Sequence, residues 1–253
     1  MQMNIVNAVC VDRAVNGVPF SAKIIRPYGK ANVRTLKKLG TLKYLVIHNT
    51  ANESPAAGAE NHGKYLGNVE NSDTDYVSWH ITVDSACAVQ HLPLDEAAYH
   101  AGDGSGEGNF QSLGIEIAEN ADYNAAEDNA LGIVCALMHE FGITSENVLP
   151  HRFFSPVKKL CPRRILKSEA SWQKNWAAFQ KKIDSRYFAL YGTGEREPDE
   201  RTAEQVVDGA IAEGILTDRA YWVSALKGEF PVNHEFVKTA FERWNEKINA
   251  AKK

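Results

Sequence analysis

The 253-residue sequence predicts an α/β domain, a mixed central β-sheet flanked by helices, followed by a small C-terminal three-helix module. Three observations carry this. Up to residue 192, short apolar runs of strand type alternate with longer stripes at helical spacing. Residues 193–200 are polar, with Gly and Pro, and read as a linker. Beyond them, over 201–253, apolar residues recur only at helical spacing, and so short a bundle lies near the lower limit for independent folding.

Residues 1–40 read as an irregular lead-in with short extended pieces near Ile5–Val11 and Lys23–Ile25. Lys43–His48 is an apolar strand bounded by Gly40 and by Asn49-Thr50-Ala51-Asn52. Ser54 as N-cap and Pro55 in the first turn predict a helix reaching Gly67, with His62 on its surface. Val77–Val83 alternates: Val77, Trp79, Ile81 and Val83 share one face, Ser78, His80 and Thr82 the other. Asp84-Ser85 then turns into Ala86–Leu92, giving a hairpin. Leu113–Ala118 is a further strand. On it Glu116 sits between Gly114 and Ala118 on its own face, which presents the carboxylate to open space.

Asn124-x-x-Glu127 resembles a capping box for a helix carrying Leu131, Val134, Cys135, Met138 and Phe141, closed by Gly142. A second helix places Trp172, Trp176, Phe179, Ile183 and Leu190 on one stripe and ends at Gly192. The C-terminal segments hold Val206, Val207, Ala210, Ile211 and Ile215, then Tyr221, Trp222, Ala225 and Leu226. The last holds Val237, Ala240, Phe241, Trp244 and Ile248, with Asn233 as its cap.

Composition narrows the function classes. With 44% hydrophobic and 24% charged residues the chain can bury a core without staples. A net charge of −4 argues against nucleic-acid binding driven by overall charge. No apolar run approaches the ~18 residues of a membrane span, so no membrane insertion is expected. The first residues lack a basic region followed by an apolar stretch, so synthesis in the cytosol without a secretory signal is expected. Cys10, Cys87, Cys135 and Cys161 are far apart and form no CxxC; Cys87 and Cys135 read as core residues.

Cys161 has a different context. His151-Arg-Phe-Phe-Ser-Pro-Val-Lys-Lys-Leu-Cys161-Pro162 puts an imidazole and a thiol in a segment that Pro156 and Pro162 keep from being a regular helix. A nitrogen and a sulfur ligand suit zinc, which needs a third protein ligand and an open position for catalysis. His48, at the end of its strand, is the best upstream candidate, and Glu116 could take a proton from an activated water. The spacing alone matches no unique pattern.

Five stretches in order add to this: Tyr44-Leu-Val-Ile-His-Asn-Thr-Ala51, Trp79-His-Ile-Thr-Val-Asp84, Tyr99-His-Ala-Gly-Asp103, Ser112-Leu-Gly-Ile-Glu-Ile117 and His151…Cys161-Pro-Arg163. Over roughly residues 40–166 the chain resembles the zinc-dependent N-acetylmuramoyl-L-alanine amidases of the type-2 family, whose relatives include phage endolysins and peptidoglycan recognition proteins. The resemblance implies zinc on His48, His151 and Cys161, with Glu116 as catalytic base. One branch of the family uses a tyrosine where this chain has Trp79, which cannot exchange a proton, so the burden falls on Glu116. Lys159 matches a position that steadies the oxyanion. Trp79, His80 and His100 would line the substrate cleft, a ligand-orienting place for His80 and a structural hydrogen bond for His100 being the alternatives. His91, His139 and His234 have no such context.

The implied partner is bacterial peptidoglycan, and the implied setting is an endolysin made in a host cytoplasm and acting on the wall after release, a host autolysin exported by another route or a prophage remnant being the alternatives. Domain order alone would make the C-terminal module the wall-targeting half, a dimerisation or purely structural role being the alternatives. Nine Lys/Arg against Glu169 alone between Arg152 and Lys182 could favour approach to an anionic wall or simply form a solvated face. Two other readings compete: a non-catalytic peptidoglycan-binding module, and a protein whose zinc is structural.

Overall fold

The structure, a computed structural model, describes residues 3–72, 76–192, 203–212, 215–226, 240 and 243. In chain order the strands and helices are β1 (Ile5–Val6), β2 (Val9–Cys10), β3 (Ala14–Val15), β4 (Val18–Ala22), β5 (Tyr44–Asn49), α1 (Ala59–Glu70), β6 (Ile81–Val83) and β7 (Ala88–Gln90). They continue with α2 (Glu107–Phe110), β8 (Ser112–Ile117), α3 (Tyr123–Phe141), β9 (Val148–Pro150), α4 (His151–Phe154), α5 (Arg163–Leu166), α6 (Trp172–Tyr191), α7 (Ala203–Ala212) and α8 (Arg219–Leu226).

One sheet runs β3-β4-β7-β6-β8-β5-β9, and it is mixed as expected: β6 and β7 form the antiparallel hairpin, while β8, β5 and β9 are mutually parallel. Parallel strands are covered on both faces, and the β5 sequence Leu45-Val46-Ile47 is accordingly buried throughout. Leu45, Ile47, Leu113, Ile115 and Ile117 join α3 and α6 in the main core. The alternate positions, His48 and Glu116, face the opposite side of the sheet. There α1 packs Leu66 and Val69 against Trp79 and Leu92 in a smaller cluster.

Several expectations need correction. The helix predicted from Ser54 begins instead at Ala59, after Gly58. Its first free N–H is met from outside, by Asp84 Oδ2 at 2.8 Å, so the local Ser-Pro signal is not used. Likewise α3 is capped by Asp122, which accepts from the backbone N–H groups of Asn124 and Ala125, and Glu127 pairs with Lys182 of α6 instead of closing a box. The strand predicted from Val77 starts only at Ile81, and both its faces are buried. In the lead-in, β4 adds in parallel to β7; Pro19 within it, opposite Ala14 of β3, hides a strand signal that sequence patterns read as broken. Lys23 and Ile25 follow β4 as extended chain, donating to the carbonyls of Gln90 and His91. His62 is buried, not on the surface.

The rest of the lead-in is ordered by buried carboxylates. Glu70 accepts from the backbone N–H groups of Tyr28, Val33 and Arg34, and the Arg34 guanidinium forks onto Glu96 with Nη2 at 2.7 Å.

The chain divides into two compact units, Met1–Thr193 and Gly194–Lys253. In the second, α7 and α8 are described; the linker 193–200 and the third expected helix, apart from Ala240 and Arg243, lie outside the described residues. No helix among the described residues is long and apolar enough to cross a membrane.

Candidate metal centre and cleft

His48 is the fifth residue of β5 and Glu116 the fifth of β8, directly opposite one another in register. His151 follows immediately on β9, which pairs with the other edge of β5. The carboxyl ends of three adjacent parallel strands thus converge on one point, a common place for sites in such sheets. Cys161 is brought there by the loop after α4, whose return is fixed by the backbone N–H of Arg152 donating to the Cys161 carbonyl at 3.0 Å. One ligand atom each from His48, His151 and Cys161 lies within 4.8 Å of the others, and all three residues are buried. His48 Nδ1 and Cys161 Sγ stand 3.9 Å apart.

The hydrogen bonds fix which ring nitrogens face inward. His151 Nε2–H donates to the Ala101 carbonyl at 3.2 Å, leaving its buried Nδ1 without a partner. His48 Nε2 lies 3.0 Å from His100 Nδ1, and His100 Nε2 lies 3.3 Å from Ser112 Oγ, whose hydroxyl donates to the Gly108 carbonyl at 2.5 Å. Because that hydroxyl proton is committed, the chain resolves in one direction: His100 Nε2–H donates to Ser112, and His48 Nε2–H donates to His100 Nδ1. Both His48 and His151 therefore present an Nδ1 lone pair to the Cys161 thiol. Two inward imidazole lone pairs and a thiol fit the donor set of a zinc site, with the outer nitrogens held as such sites need.

Burial dominates the electrostatics. It holds the His48 imidazole well below its ordinary range, with His151 and His100 adding to the effect. Burial, reinforced by Lys159, lowers His151 to about 4. It pushes the Cys161 thiol up to about 12, with Glu116 contributing. Glu116 is raised to about 8, again by burial, against the opposing pull of Lys159, and its Oε2 has no hydrogen-bond partner. An unpartnered buried carboxyl oxygen beside this donor set is poised to handle a proton.

His100 and His80 are buried and positioned behind the donors, not along the cleft wall. His80 Nε2–H donates to the Glu96 carbonyl at 2.8 Å and its Nδ1 accepts the Gly114 N–H at 3.0 Å. Gly114 is required here: a Cβ at that position would sit 2.8 Å from the His100 ring.

A cleft of about 740 Å³ opens over Glu116 and Cys161, with Lys159 and Arg163 on one wall and His62, Tyr65 and Trp79 on another. Lys159 is exposed. Trp79, only 5% exposed, gives its indole N–H to Thr82 Oγ1 at 2.7 Å, and Thr82 in turn meets His91 Nε2 at 2.9 Å. Sequence reasoning missed His62 and Tyr65, which contact the Trp79 ring, because their partner lies in a segment distant along the chain. It also missed Glu119. That buried carboxylate accepts from the Ala51 N–H and from Arg163 Nε and Nη2, tying three loops together at the cleft edge.

Residues 38–164 match the family model described as N-acetylmuramoyl-L-alanine amidase. Among curated proteins, the N-acetylmuramoyl-L-alanine amidase XlyA of Bacillus subtilis is 48% identical over 125 residues, covering 49% of this chain and 40% of XlyA. CwlH of the same organism, also named N-acetylmuramoyl-L-alanine amidase, is 42% identical over 145 residues, covering 56% of this chain and 53% of CwlH. The chain thus spans about half the length of the curated relatives it matches. The solved catalytic domain of XlyA superposes with a TM-score of 0.57 at 42% identity, covering 66% of this chain and 99% of that domain.

Proposed function

Because the chain belongs to the N-acetylmuramoyl-L-alanine amidase family, we propose that it hydrolyses the amide joining the lactyl group of N-acetylmuramic acid to L-alanine in bacterial peptidoglycan, with zinc as cofactor. The observation that carries this reading is the convergence of His48, His151 and Cys161 beside a half-buried Glu116, whose buried Oε2 has no partner, in the lining of an open cleft.

His48 and His151 would hold the ion through Nδ1 and Cys161 through Sγ, after loss of the thiol proton. When bound, zinc supplies Lewis acidity that polarises a carbonyl and acidifies water. Glu116 takes the proton of the attacking water and returns it to the departing L-alanine nitrogen. The C–N bond breaks, a new C–O bond gives the lactyl carboxylate, and a free amine leaves. Burial raises the Glu116 carboxyl to about 8, and a cation placed beside it would shift it toward ionisation, which suits both halves of that transfer. Lys159 offers its ammonium to the carbonyl oxygen as charge develops there. Trp79, its N–H committed to Thr82, contributes a cleft wall and no proton. His100 orients His48, and His80 holds the β8 backbone behind it.

In this reading the whole protein acts as an endolysin, its unit from residue 194 targeting the wall. The test is mass spectrometry of digested walls. New L-alanine amino termini, abolished by a chelator and restored by zinc, are expected; reducing sugar ends instead would sink the amidase reading. Chelation that unfolds Met1–Thr193, instead of silencing it, would favour a structural ion.

A further inference from the structure

A second cavity, of about 350 Å³, is lined by Tyr76, Tyr99, Gly102, Gly104 and Asn109. It shares its backbone with the metal centre. Tyr99 precedes His100, and Asn109 Oδ1 accepts the N–H groups of His100 and Ala101 at 2.9 and 2.8 Å. Ala101 in turn holds His151 through its carbonyl. The loop joining His151 to Cys161 stands at the cavity's edge, since a Cβ on Gly102 would lie 4.0 Å from Pro156 Cδ.

The chemistry of this cavity differs from that of the cleft. Among the described residues its lining carries no charged side chain, whereas the cleft carries Lys159, Arg163 and Glu116. Tyr76 is 71% exposed and meets Tyr99 edge-on at 5.6 Å, so one ring face is offered to solvent. Gly102, at φ +73°, leaves a stretch of wall with no side chain. Asn109 spends its amide on Gly104 and its oxygen on two N–H groups, so it shapes the wall and offers little to a ligand.

The substrate of the proposed amidase also has two unlike halves. Its glycan is neutral, because the muramoyl carboxyl is tied up in the scissile amide, and pyranose rings present C–H faces that pack on aromatics. Its stem peptide carries free carboxylates. We propose that the glycan strand runs over the Tyr76–Tyr99 cavity while the stem peptide occupies the charged cleft, so that the scissile amide falls at the metal centre between them. This rests on the amidase reading and adds a saccharide subsite with Tyr76 as its platform.

The test uses the zinc-loaded full chain, its Tyr76→Ala and Tyr76→Trp variants, and three probes. The first two are N-acetylmuramoyl-tripeptide and a glycan tetrasaccharide bearing the same peptide. The third is a neutral β-1,4-linked N-acetylglucosamine tetrasaccharide, used for binding alone. Loss of one stacking contact weakens saccharide binding roughly fivefold. Tyr76→Ala is therefore expected to raise KM for the tetrasaccharide substrate by about that factor. It should leave kcat, and both constants for the single-sugar substrate, unchanged, and Tyr76→Trp should restore the parent KM. Equal effects on both substrates, or no effect on either, would overturn the subsite. The binding arm separates the two readings. If the parent releases no L-alanine termini yet binds the neutral tetrasaccharide through Tyr76, the amidase reading falls and the subsite stands. If it turns over but binds that sugar independently of Tyr76, the reverse holds.

Discussion

The imidazole chain behind the metal centre makes a quantitative prediction about His100. His48 presents Nδ1 inward only while its Nε2–H donates to His100 Nδ1. In His100→Ala that N–H is left buried without an acceptor. The metal-free protein can escape by letting the His48 ring change tautomer or turn, but ligation of zinc through Nδ1 forbids both. The penalty for an unmet buried donor, about 1–3 kcal/mol, therefore falls on zinc affinity, roughly a 5- to 150-fold loss. This brackets the ~10–100-fold cost of losing such outer partners in zinc sites generally. His100→Asn, whose side-chain oxygen can accept the same N–H, should recover most of it. Neither replacement is larger than imidazole, so neither meets Gly114. The measurement is zinc competition against a chromophoric chelator at fixed pH, with thermal melts confirming the fold. Parent-like affinity in His100→Ala, or no recovery in His100→Asn, would refute the orienting role. A raised KM at unchanged zinc affinity would instead make His100 a substrate contact.

Glu116→Gln should keep its zinc and lose roughly 10²–10⁴-fold in kcat, and retained turnover would remove Glu116 from the mechanism. Burial lowers His91 to about 3, far below the ordinary imidazole value of 6.5, so its contribution to stability is complete above pH 6.5 and is lost as pH falls toward 3. Between pH 7 and 5 that loss is roughly 2 kcal/mol; urea melts of His91→Leu should therefore lose about that much less than the parent over this interval, and equal losses would contradict the assignment. The chain truncated after Thr193 should retain turnover on soluble muramoyl-peptides but sediment less with intact walls; undiminished sedimentation would argue against a targeting role for the second unit.

The parts of the fold visible in the sequence are those decided locally. The strand Ser112–Ile117, the stripes of α3 and α6 and the ordering of His48, Glu116, His151 and Cys161 along the chain all follow from periodicity and spacing. The parts that were not visible depend on partners distant in sequence. The start of α1 is set by Asp84, and β4 is a strand because β7 is beside it. The His48–His100 bond exists because Gly114, in another strand, leaves room for a ring to lie against it. No window of sequence holds both halves of any of these contacts. Trp79 shows the same limit: alternation put it on the face opposite Thr82, yet because β6 begins only at Ile81 its indole folds back to bond that side chain.

Core packing and site geometry are, in consequence, one constraint. His48 and Glu116 stand opposite each other because β5 and β8 pair in register along all six residues. That register is selected by the side chains on the other face: Leu45, Ile47, Leu113, Ile115 and Ile117 must all reach the α3 side together. A slip of one residue would carry Glu116 into the core and expose the apolar set to the cleft, costing several buried aliphatic groups at about 1.5–3 kcal/mol each. The carboxylate therefore needs no local device to aim it. The hydrophobic pattern that folds the sheet also presents Glu116, half-buried and with its Oε2 unpartnered, beside the three donors.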